Sequence, residues 1–97
     1  MKAQGWGSKG SCYTLVVIDD MGNPSPDKLR EQKILMDDDL LCWEVDVDSV
    51  MEAMILYHQY QNWEPYSPMD DDKDEYLEAL KKLKLDNDDR YTKKLGF

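Results

Sequence analysis

The chain has 97 residues, and the side chains in it that could do chemistry are mostly carboxylates: 21 acids, fifteen of them Asp, beside one histidine, His58. A Ser-His-Asp nucleophile would need that histidine. Nothing pairs it with a particular Ser or Cys, and it reads as a helix residue at the edge of the core. Asp86, Asp88 and Arg90 would take positions 1, 3 and 5 of a calcium loop. Tyr91 then stands where Gly is required, and Phe97 where the bidentate Glu belongs, which excludes an EF-hand. Asp70-Asp71-Asp72 at a helix start is explained by the helix dipole without a metal. Cys12 and Cys42 lie in apolar runs, where Cys behaves as a small hydrophobe. Too few Cys and His are present for a zinc site.

Asp46-Val47-Asp48-Ser49 resembles the Asp-x-Asp signature of haloacid-dehalogenase phosphotransferases, whose first Asp is a nucleophile beside magnesium. Those enzymes need a larger doubly wound domain, and the chain has no length for one. The four residues read instead as a strand end and a helix cap. No reaction is identified, and no cofactor or metal is expected.

Taken together, the acids say more. Met1 to Met36 carries four acids and five bases. Asp37 to Glu78 carries fourteen acids and one base, Lys73. Ala79 to Phe97 carries three acids and six bases. The chain's net charge of −9 therefore conceals a middle segment at −13. Direct binding to nucleic acid or to an anionic membrane needs the opposite sign. Glu44, Asp46 and Asp48 alternate along one strand, roughly 6.8 Å apart. Asp71, Asp74, Glu75 and Glu78 share a helix face, stepping by about 5.4 Å per turn. Asp37, Asp38 and Asp39 add a turn, and Asp70 and Asp72 extend the helix cluster. Tyr57, Tyr60, Trp63 and Tyr66 recur every three residues among amide side chains, a composition found at interfaces.

The elements that position these groups can be placed from pattern. Residues 1–10 hold three of the five glycines and read as a loose arm. Cys12 to Ile18 is β-branched and aromatic, a strand with both faces apolar. Ser25-Pro26 caps a short helix to about Gln32. Lys33 to Met36 reads as a short strand, joined through a hairpin at Asp37-Asp38-Asp39 to a strand over Leu40–Val47. Ser49-Val50-Met51-Glu52 is a capping box for a helix to about Asn62. Ser67-Pro68 starts an amphipathic helix with Met69, Tyr76, Leu77, Leu80 and Leu83 on its apolar face. Arg90 to Phe97 adds one helical turn. The expected fold class is α+β: one domain over residues 1–97, a small three-stranded, mostly antiparallel sheet with two or three helices packed on one face. No apolar leader or membrane-length run is seen, so a cytoplasmic protein is expected.

In size, charge layout and expected fold the chain resembles the small acidic DNA-mimic inhibitors of phages and mobile elements, among them anti-CRISPR, anti-restriction and uracil-glycosylase-inhibitor proteins. No motif is shared, so no residue role is carried over. The resemblance implies a non-enzymatic inhibitor acting in the host cytoplasm. Its acidic surface would enter the groove of a basic nucleic-acid-binding partner, for an anti-CRISPR a surveillance complex. Partner contacts would fall on Asp37, Asp38, Asp39, Glu44, Asp46, Asp48, Asp70, Asp71, Asp72, Asp74, Glu75 and Glu78, with Tyr60, Trp63 and Tyr66 as aromatic anchors. The alternatives are an immunity protein or antitoxin against a basic nuclease, and a soluble interaction adaptor.

Overall fold

A computed structural model describes residues 1–93. It shows an α+β fold: a three-stranded antiparallel sheet with helices. The chain divides into two compact units, Met1–Asp48 and Ser49 onward.

The first unit is built on strand β1, Lys2–Ser8, which lies at the centre of the sheet between β2, Ser11–Ile18, and β3, Leu40–Asp46. The expected loose arm is thus the middle strand. Its glycines lower strand propensity, but close packing requires one of them. A Cβ on Gly7 would lie 1.7 Å from the Ser11 carbonyl oxygen. Lys9 and Gly10, both at positive φ (55° and 79°), make the two-residue turn into β2, the geometry that matches strand twist. This is the hairpin of the fold. Asp37-Asp38-Asp39 forms none, and residues 33–36 are turn, bend and irregular chain rather than strand. The sheet is completed by non-local pairing, Lys2 with Asp46 and Gln4 with Glu44.

Residues that pair across the strands share a face. Trp6, Val16 and Ile18 form a core cluster with Leu29 and Leu35. Leu29 comes from helix α1, Pro26–Glu31, whose Ser25 cap accepts from the Lys28 N–H at 3.2 Å.

The second unit begins with the capping box as expected. Ser49 Oγ accepts from the Glu52 N–H at 3.2 Å and starts α2, Val50–Tyr60. A 3₁₀ turn, Asp70–Asp72, leads into α3, Lys73–Leu83. The helix therefore starts later than Ser67-Pro68 suggests. Pro68 is buried, whereas Met69 stays 74% exposed and outside the apolar stripe. Lys84 closes α3 in the left-handed conformation. A last turn, α4, Asp89–Thr92, is capped by the Asp88 carboxylate. The rest of the expected C-terminal turn, residues 94–97, lies outside the described residues. Met51 and Ile55 of α2, Tyr76, Ala79 and Leu80 of α3, and Tyr91 of α4 form the core. Burial there pushes the Tyr76 phenol up to about 12.

Candidate acidic and aromatic surface

The expected acids take three different roles. Asp39 does not face outward: it is fully buried. Its carboxylate accepts from the Tyr13 hydroxyl and, at 2.8 Å, from the Met36 N–H. Its carbonyl accepts from the Arg30 guanidinium at 2.9 Å. The Tyr13 bond above all, then the backbone N–H, holds the Asp39 carboxyl below the usual carboxylate range. Asp39 therefore builds the loop on which Asp37 and Asp38 stand exposed.

Glu44 is also engaged within the first unit. The Trp6 indole N–H donates to Gln4 Oε1 at 3.1 Å, and Gln4 Nε2 donates to Glu44 Oε2 at 2.6 Å. Lys2 Nζ sits 3.5 Å from the other carboxylate oxygen. The Gln4 bond first, and Lys2 after it, lower the Glu44 carboxyl. Register places Asp46 opposite Lys2 and Glu44 opposite Gln4, so the two share a face of β3. Asp48 lies beyond the strand end. The expected three-carboxylate row is thus a pair, one member of it tied down. Buried Gln4 gave no signal, because it lies within an apparent arm.

The second unit carries the open acids. Asp71 of the 3₁₀ turn and Asp74, Glu75 and Glu78 of α3 are exposed, while Tyr76, Ala79 and Leu80 of α3 are buried. Asp70 pairs with Lys73 at 3.3 Å, and Glu78 reaches Lys81 at 4.0 Å. Among the described residues no Lys or Arg lies within ion-pair distance of Asp71, Asp74 or Glu75. Asp72 is half-buried at the N-terminal boundary of α3.

The aromatic run divides between core and surface. Tyr57 is buried, and its hydroxyl accepts from Gln61 at 2.9 Å. Tyr66 is half-buried and packs against the core of the second unit. Tyr60 and Trp63 are exposed at 43% and 54%. Trp63 is nonetheless held: Tyr57 and His58 meet it edge to face at 5.8 and 5.3 Å. His58 also meets Tyr66 at 5.5 Å, and Tyr66 meets Tyr76 of α3 at 6.4 Å. His58 Nδ1 lies 3.1 Å from the Glu64 carbonyl. A carbonyl can only accept, so Nδ1 carries the proton. The histidine thus pins the loop that presents Trp63.

Among the described residues no three His, Cys, Asp or Glu side chains are grouped to hold a metal, and no helix is long and apolar enough to cross a membrane. The second unit thus offers solvent open carboxylates and, separately, an exposed indole. Comparison with protein-family models, curated proteins and solved structures finds no match.

Proposed function

We propose that the chain is a non-enzymatic inhibitor whose acidic surface occupies the nucleic-acid groove of a basic partner, in the manner of a DNA-mimic anti-CRISPR acting on a surveillance complex. The observation that carries the reading is the exposed Asp74, Glu75 and Glu78 on α3, opposite a buried apolar stripe, with exposed Asp71 in the 3₁₀ turn before it. Duplex DNA presents one charge per roughly 1.7 Å of axis, counted over both strands. Carboxylates fixed along a helix offer a partner several negative charges with little ordering cost on binding. Such association is electrostatically steered and weakens with salt.

The half-exposed Trp63 favours one further reading, an immunity protein that holds a single basic nuclease. A rigid indole is a common anchor in tight interfaces.

The two readings separate in one experiment. The purified chain is titrated at low salt into surveillance complexes and into basic nucleases, each holding labelled duplex. Release of duplex from the surveillance complexes, lost at high salt, supports the mimic. Unchanged duplex binding by those complexes overturns it. Release from one nuclease alone, persisting at high salt, favours the immunity reading.

A further inference from the structure

The sheet of the first unit has two edge strands, and they differ. β3 carries Glu44 and Asp46, and charge on an edge strand discourages pairing with other chains. β2, Ser11–Ile18, has neither a charged residue nor a proline. A bulge leaves Tyr13 without a register partner, and from Thr14 to Ile18 the pairing with β1 is regular. Among the described residues, the backbone of 13–18 bonds to β1 alone. An edge strand turns alternate N–H and C=O groups outward, where they template a further strand. Leu15 and Val17 are only half-buried, so unfinished apolar surface stands beside those groups.

The charges at the two ends of β2 select the occupant. Lys9, in the turn before it, is exposed, and among the described residues no carboxylate lies within ion-pair distance of it. Asp19 and Asp20, just after it, are exposed as well. Asp19 Oδ1 accepts from the Met21 and Asn23 N–H groups, and Asp20 Oδ1 holds the N-terminal ammonium at 2.6 Å. A second β2 laid parallel would set like charge against like. Laid antiparallel, the basic end of each strand meets the acidic end of the other. Centred on Leu15, such a pair sets Thr14 against the second copy's Val16, and Lys9 beside its Asp19 and Asp20. We propose that the chain self-associates through β2, two copies pairing antiparallel about a two-fold axis into one continuous sheet. The contact is isologous and closes at two copies, and the acids of β3 guard the outer edges. A single strand pair is smaller than the roughly 1,200 Å² of a stable interface, so the dimer should dissociate on dilution. The proposal does not rest on the acidic-surface reading above.

Sedimentation equilibrium of the full chain, from micromolar to millimolar concentration, tests it. The mean mass should rise toward twice that of one chain. Amide hydrogen exchange within residues 13–18, followed by NMR, should slow over the same range. Val17→Lys places a charge in the pairing strand and should abolish the dimer. Lys9→Glu should weaken it about tenfold, the loss of two symmetric surface ion pairs. Adding Asp20→Lys to Lys9→Glu should restore it. Thermal melts confirm folding. Lys9 and Asp20 are exposed, so the charge swap decides the matter if Val17→Lys fails to fold. The mass of one chain at every concentration would overturn the proposal and leave the edge to a strand of another protein. A dimer that keeps its affinity in Lys9→Glu, or forms without slowing exchange in β2, would place the contact elsewhere and overturn it too.

Discussion

The hydroxyl of Tyr13 donates to the carboxylate of Asp39, tying β2 to the loop before β3 across 26 positions of the chain. The same carboxylate accepts from the Met36 N–H. Removing it takes away two hydrogen bonds and the packing of a fully buried side chain. Asp39→Ala should lower the melting temperature by roughly 5 °C or more in a domain of this size. Tyr13→Phe removes one bond and frees no buried donor, so it should cost less. Thermal melts followed by circular dichroism compare the two.

The same bond gives stability a defined pH dependence. The Asp39 carboxyl is lowered in the fold, chiefly by Tyr13. Its contribution is therefore complete above the unfolded carboxylate value of about 3.9 and is lost as pH falls through the lower folded value. The Tyr13 phenol is raised, chiefly by Asp39. That contribution is complete below its ordinary value of 10 and is lost only as pH rises through the raised one. Asp20, Glu44 and Asp88 are also lowered, so the acid limb has several contributors. The informative quantity is the difference between wild type and Asp39→Asn in urea midpoint. It should be wide near neutral pH and narrow below about pH 4. A gap constant down to pH 2 would show that the Asp39 carboxylate is not engaged.

Gly7→Ala tests the place of β1. The added methyl would meet backbone, not the tip of a side chain that can move aside. The destabilisation should reach the upper end of the usual overpacking range, about 3 kcal/mol or more. Urea denaturation of the variant measures it. A loss near zero would be the result expected of a loose arm.

The open acids behave oppositely. Asp71→Asn, Asp74→Asn and Glu75→Gln together relieve like-charge repulsion. The changes at Asp74 and Glu75 also remove favourable charge from the first turn of α3. The two effects offset, so the melting temperature should move by only a few degrees. Affinity for the basic partner should fall tenfold or more, as when charge pairs are lost across an interface. Titration calorimetry against oligoarginine, beside a thermal melt, reads both quantities. Unchanged affinity would make these acids a solvated surface only.

Local signals were legible where one segment decides the outcome. The Ser25 and Ser49 caps, the alternation along β3 and the apolar stripe of α3 all rest on neighbours within a few residues. What failed to show depends on distant partners. Lys2–Ser8 looks loose because Gly5 and Gly7 weaken strand propensity, and pairing on both sides outweighs that. Asp39 looks like its neighbours Asp37 and Asp38, because nothing nearby announces Tyr13. Trp63 stands out in the sequence as an aromatic among amides, but the ring contacts that fix it do not. The hairpin turn is Lys9-Gly10, not the triple-Asp segment, because only the former has the positive-φ residues a two-residue turn needs.

The central position of β1 also sets an order of assembly. Its pairing with β2 closes through a two-residue turn and can form early. Its pairing with β3 joins Lys2 to Asp46, so one edge of β1 stays open until some forty further residues have been made. Pairing at that separation is intrinsically slow. An unpaired strand edge is a template for other chains. A nascent or truncated chain ending before Leu40 would carry that open edge, and its self-association should be relieved once Leu40–Asp46 is restored.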